Sequence, residues 1–74
     1  MNKIKMIMHS TSGCKYCLQA KGLMDHFGID YTIITEKSPD WPTFPCIYLV
    51  NEDGSTRLIG GFTQLSDWAM YELA

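Results

Sequence analysis

Polar and apolar positions along the chain change period several times, and each change marks an element. Ile4, Met6 and Met8 alternate with Lys3, Lys5, Ile7 and His9, the period of two that a strand with one buried face requires. Residues 10–13 then turn the chain. Over residues 15–27 the apolar positions fall at Cys17, Ala20, Leu23, Met24 and Phe27, which is helical spacing, with Lys15, Gln19, Lys21 and Asp25 opposite. Gly22 interrupts that helix at a cost of about 1 kcal/mol relative to Ala, so we expect a close packing contact there. Gly28 is placed to end the helix and His26 lies in its last turn.

Residues 31–35 are β-branched and aromatic and predict a buried strand. Strand, helix and strand at this spacing make a βαβ unit with two parallel strands. Residues 46–50 predict a further strand, Asp53-Gly54 a tight turn, and residues 56–59 its antiparallel return. Gly60-Gly61 ends that strand. Thr63 is placed to cap a last helix that carries Leu65, Trp68, Ala69 and Leu73 inward.

At 74 residues the chain has room for a single domain, 1–74, and one modest core. Hydrophobic residues at 46% and charged residues at 19% fit a folded globular domain rather than disorder. A net charge of −2 without a Lys/Arg run excludes a strongly basic nucleic-acid binder. No apolar run approaches the roughly 20 residues of a membrane span, and the N-terminus has no signal-peptide core, so we expect a cytoplasmic protein. Three cysteines do not make a secreted disulfide framework, and in the cytosol a close pair points to redox or metal chemistry.

The pair is Cys14-Lys15-Tyr16-Cys17, at the start of the first helix. Residues three apart on a helix share a face, and their Cα atoms fall within the roughly 4.4–6.8 Å a disulfide spans. Cys14 meets the free N–H groups and positive dipole end of the helix, with Lys15 beside it, an environment that lowers a thiol from about 8.5 into the range 3.5–7.5. Cys17, one turn inside and facing the core, stays protonated until it attacks. The rival readings are a chance pair or part of a zinc site, for which Cys46, His9 and His26 are the other ligand candidates.

Two further segments bear on this. Trp41-Pro42-Thr43-Phe44-Pro45 precedes a strand and by itself is an ordinary proline-rich loop. Beside a Cys pair we expect a cis Phe44–Pro45 bond, with the Phe44 backbone offered to an extended substrate. Gly60-Gly61-Phe62-Thr63 alone is a strand-to-helix turn, but it also allows a ligand to approach closely and offers N–H groups to a carboxylate.

Taken in order, Cys14-Lys15-Tyr16-Cys17, Thr43-Phe44-Pro45 and Gly60-Gly61 resemble the active-site, cis-proline and double-glycine motifs of the glutaredoxins, over nearly the whole chain. Gly60-Gly61-Phe62-Thr63-Gln64-Leu65 is similar in particular to short viral and bacterial members. The resemblance implies an α/β thioredoxin-like (glutaredoxin) fold: a four-stranded mixed sheet with helices packed on it. It also implies a thiol–disulfide oxidoreductase that reduces protein disulfides or glutathione mixed disulfides. Cys14 is then the nucleophile and Cys17 the resolving thiol, with Tyr16 lining the site and Phe44 holding the glutathione backbone. Thr63 and Gln64 face its γ-glutamyl end, and Thr11, Lys15, Thr43, Pro45, Gly60 and Gly61 complete the site. Glutathione is a co-substrate, no cofactor or metal is bound, and the partner is a disulfide-containing protein, with ribonucleotide reductase an example. The protein is expected to be a monomer that binds neither nucleic acid nor membrane.

Three departures stand out. Thr11 replaces the Lys that many members carry three residues before the first Cys, and Gln64 replaces a frequent Asp; both remove charge that meets glutathione. Only residues 36–41 are left for the family's second helix, which we expect shortened or absent, with Ser38-Pro39 capping a single turn at most. Trp41 is expected to fill part of the gap. Cys46 reads as a small core residue, with a third redox thiol as the alternative. Alternatives for the whole are a thioredoxin-like donor recharged by a reductase, an iron–sulfur or zinc module (the former built on Cys14 of two chains and two glutathiones), and an inactive interaction protein.

Overall fold

A computed structural model describes residues 4–73. Lys3, included in the first alternation, lies outside them. The elements run β1 (Lys5–His9), α1 (Lys15–His26), β2 (Asp30–Ile34), β3 (Cys46–Val50), β4 (Thr56–Gly60) and α2 (Phe62–Glu72). They form a mixed α/β structure with one four-stranded sheet in the order β2-β1-β3-β4. β1 and β2 are parallel, with Met6 opposite Tyr31 and Met8 opposite Ile33. β1 pairs antiparallel with β3, and β3 with β4.

The alternation in β1 decides where the core lies. Met6 and Met8 are buried, and Ile47, the partner of Met8 on β3, turns to the same face. There they meet Ala20 and Met24 of α1 and Leu65 of α2 in one cluster with Ile29. Burying a side chain of Met, Ile or Leu size contributes about 1.5–3 kcal/mol, so this cluster holds both helices to one face of the sheet. Among the described residues no helix is long and apolar enough to cross a membrane.

The end of α1 follows from Gly28. Its φ of +68° suits glycine, and it lets the Gly28 N–H donate to the Asp25 carbonyl and the Ile29 N–H to the Met24 carbonyl. Two otherwise free carbonyls are thereby satisfied, and Ile29 is delivered into the core beside Met24.

Three sequence expectations need correction. β2 is not buried: it is an edge strand, mostly exposed, with Ile33 38% accessible. Its β-branched residues suit a strand but do not say which faces are covered. Gly22 makes no close contact, since a Cβ built there meets nothing within 4 Å. α2 is capped at Gly61 rather than Thr63, and the Gln64 side chain reaches back to accept the Gly61 N–H at 3.1 Å. The second helix, expected shortened or absent, is absent: residues 36–41 form none, and the Asp40 N–H donates to the Ser38 hydroxyl at 3.1 Å in a turn.

That helix-free segment lies across the second sheet face. Tyr48, paired with Ile7 on β1 and Leu58 on β4, projects there. Its hydroxyl shares a hydrogen bond with buried Ser38 at 2.5 Å and donates to Asp40 Oδ2 at 2.7 Å. His9, on the same face, is linked through Nδ1 to the Glu36 carbonyl at 2.7 Å. Ser38 is buried in this segment, and Trp41 is half-buried and stands against Gly60 and Gly61.

Candidate functional site

Cys14 is the N-cap of α1, with extended φ of −89° and ψ of 107°, and its Sγ accepts the Cys17 N–H at 3.1 Å. A helix start leaves four N–H groups without carbonyl partners, and here sulfur takes one of them. The two cysteines are joined as a disulfide with Cα atoms 5.2 Å apart, inside the span expected from their spacing. Cys14 is half-buried and Cys17 is 1% exposed, so an incoming molecule meets Cys14 first. The burial of Cys17 follows from the helical period, which puts it on the face that carries Ala20 and Met24.

From Tyr16 an open groove of about 220 Å³ runs past Thr43, Phe44 and Pro45 to Gly61, Thr63 and Gln64. The Phe44–Pro45 peptide bond is cis, as expected. Tyr16 lies above Phe62 with ring centroids 6.1 Å apart and planes 27° from parallel, so the start of α1 and the start of α2 frame one end. The glycine pair permits close packing. A Cβ on Gly60 would stand 3.0 Å from Gln64 Cγ and 3.2 Å from Trp41 Cη2, and Gly60 has a φ of +119°.

Seven of the residues assigned from the sequence therefore meet in this groove: Tyr16, Thr43, Phe44, Pro45, Gly61, Thr63 and Gln64. Gly60 lies behind its wall, against Trp41 and Gln64. Thr11 does not join them; it borders a separate depression with Ser10, Ser12, Lys21, Ile33 and Thr35. Lys15 is exposed and is not part of the lining. Two lining residues were missed. Trp41 stands against Gly60 and Gly61, and Phe62 lies beneath Tyr16. Their signal was present as aromatic residues directly flanking the proline and glycine motifs, but neither side chain has chemistry of its own to draw attention.

The lining is uncharged and rich in rings. Its hydrogen-bonding capacity rests on Tyr16, Thr43, Thr63, Gln64, the indole of Trp41 and the backbone. Among the described residues no group of three or more His, Cys, Asp or Glu is placed to hold a metal ion. Cys46 is fully buried next to the site in sequence, at the start of β3.

The Tyr48 phenol behind the groove is perturbed. Its hydrogen bond with Ser38 pulls it down, but burial and the bond to the Asp40 carboxylate outweigh this, with a smaller push from Cys46, and it is pushed up to about 12. Tyr48 is thus a neutral hydrogen-bond donor across the physiological range. Comparison of the chain with protein-family models, with curated proteins and with solved structures found no match.

Proposed function

We propose that this protein is a thiol–disulfide oxidoreductase with a thioredoxin-like, glutaredoxin-type fold, working in the cytoplasm. The observation that carries the reading is the Cys14–Cys17 pair itself, closed as a disulfide across the first turn of α1, with Cys14 capping the helix and Cys17 buried behind it. In the reduced protein the Cys14 thiolate attacks one sulfur of a substrate disulfide. A Cys14–substrate disulfide forms, the substrate S–S bond breaks, and the leaving sulfur departs as a thiolate that takes up a proton. Cys17 then loses its proton and attacks Cys14 Sγ, releasing the second substrate thiol and closing the Cys14–Cys17 bond. The substrate gains two electrons and two protons. Two glutathione thiols, oxidised to glutathione disulfide, return the pair to the dithiol. The groove that begins at Tyr16, two residues after Cys14, receives the substrate chain, with the Phe44 backbone available to pair with it.

One observation favours a second source of electrons. The groove lining carries no charged side chain, and Thr11 lies outside it, whereas glutathione carries two carboxylates and an ammonium. A donor recharged by a reductase would not need to hold that tripeptide tightly.

The deciding experiment is steady-state reduction of a small glutathione mixed disulfide, run with glutathione and its reductase and again with thioredoxin reductase. Turnover with glutathione supports the first reading, and turnover only with thioredoxin reductase supports the second. Absence of turnover in both overturns the proposed function.

A further inference from the structure

Trp41 forms one wall of the groove, yet the segment that carries it has no helix to fix it. Residues 35–45 run from the end of β2 to the start of β3 with no strand or helix among them. What holds them is side-chain chemistry on the far face of the sheet. The Tyr48 hydroxyl donates to Asp40 Oδ2 at 2.7 Å and shares a bond with Ser38 Oγ, while the Asp40 N–H closes the triangle onto Ser38 Oγ at 3.1 Å. Asp40 immediately precedes Trp41. One phenol on β3 therefore fixes the chain one residue before the wall.

The phenol is itself well fixed. It stands in the second strand of the sheet's central antiparallel pair, opposite Ile7, and its ring meets the His9 ring edge-on with centroids 5.7 Å apart. Beyond it, the indole of Trp41 stands close over the glycine pair, with Cη2 3.2 Å from where a Gly60 Cβ would be and Nε1 3.6 Å from where a Gly61 Cβ would be. Asp40 and Trp41 share a peptide bond, so the position at which Asp40 is held bears directly on where the indole stands.

We propose that Tyr48 is a positioning residue: acting through Asp40 and Ser38 from the far face of the sheet, it sets where Trp41 stands and hence which disulfides fit the groove. The part concerning disulfides rests on the proposed function; the part concerning Trp41 does not. Tyr48 does not line the groove, so its effect is on the fit of the substrate and not on the sulfur chemistry.

The test uses the full chain with Trp68→Phe, which leaves Trp41 as the remaining indole of the two. In that background Tyr48→Phe keeps the ring and removes the hydroxyl. Trp41 emission is expected to shift and its quenching by acrylamide to rise. The single-turnover rate of the reduced protein with oxidised glutathione, a substrate long enough to extend into the groove, is expected to fall about fivefold, the typical worth of one hydrogen bond. The rate with cystamine, too small to reach Trp41, stays unchanged. Asp40→Asn, which keeps an acceptor, behaves as the parent, and Asp40→Ala, which loses the bond to Asp40 Oδ2 but keeps the backbone link through Ser38, shifts the same readouts in the same direction by a smaller amount; combining it with Tyr48→Phe gives no more than Tyr48→Phe alone. Should Tyr48→Phe fail to fold, Asp40→Ala at an exposed position carries the same comparison. Unchanged Trp41 emission and quenching, or an equal loss with both disulfides, overturns the proposal. Emission needs no turnover, so a parent protein that reduces neither disulfide ends the proposed function while leaving the role of Tyr48 toward Trp41 still measured.

Discussion

The backbone N–H of Cys17 points at the Sγ of Cys14 from 3.1 Å, so the proposed nucleophile is also the cap of its own helix. In the reduced protein a thiolate at that position gains the same N–H and the positive end of the helix, both of which favour the charged form. Alkylation of the reduced protein by iodoacetamide should reach half its maximal rate below about pH 7.5, against about 8.5 for a free thiol. A midpoint near the free value would mean that the helix start contributes nothing to reactivity.

The two cysteines differ in exposure, and their substitutions should differ accordingly. Serine is a strong helix cap, so Cys14→Ser should keep the fold while abolishing turnover. Cys17→Ser should still reduce glutathione mixed disulfides through Cys14 but lose dithiol-dependent reduction of a protein disulfide. Circular dichroism with both assays checks this pair. Appreciable activity in Cys14→Ser would remove the nucleophile assignment, and loss of both activities in Cys17→Ser would give Cys17 more than a resolving role.

Much of this arrangement was legible because local rules and global packing agree. The alternation of Met6 and Met8, the helical spacing of Cys17, Ala20 and Met24, and the Gly28 stop each specify an element and its inward face. What failed had a common cause, which is that composition does not report what lies across from a residue. The β-branched run of β2 looks the same whether a helix covers it or not, and here it lies at a sheet edge. Gly22 looked like a contact and is open surface. Gln64, rather than Thr63, satisfies the start of α2, because Gly61 and not Thr63 is the residue at which the backbone turns into the helix. At the site the sulfur pair and the two motifs could be read directly, whereas Trp41 and Phe62 join the groove only through the packing of distant elements.

The glycines offer a test of that lesson in opposite directions. Gly22 is exposed within α1 and a Cβ there meets nothing within 4 Å. Gly22→Ala should therefore raise stability by about 0.8–1.0 kcal/mol, equivalent to a Tm increase of roughly 4–8 °C in a domain of this size. Gly60 has a φ of +119°, and a Cβ would press on Gln64 and Trp41 at 3.0 and 3.2 Å. Gly60→Ala should cost about 1–3 kcal/mol. Urea unfolding of both variants decides it: a destabilised Gly22→Ala would restore the packing contact first expected there, and a neutral Gly60→Ala would show that the wall yields freely.

Tyr48 also makes stability depend on pH at the alkaline end. Its phenol is pushed up to about 12 from an ordinary value of 10.0, by burial and the bond to Asp40 against the opposing bond to Ser38. A raised value means that the folded state keeps a proton the unfolded chain releases. Below pH 10 both states are protonated and the contribution of Tyr48 is fully present. As the pH rises from 10 towards 12 the unfolded chain ionises first, unfolding is favoured, and the contribution is lost. Tyr31, raised by burial and by its bond to Asp25, pulls the same way but is common to the wild type and a Tyr48→Phe variant, so it cancels between them. Urea unfolding at several pH values should therefore show the wild type losing stability faster than Tyr48→Phe above pH 10, so that any advantage the hydroxyl gives at neutral pH narrows. Parallel curves over that range would mean that the phenol ionises as readily in the folded protein as in the unfolded chain, and that the Tyr48–Asp40 bond does not hold its proton.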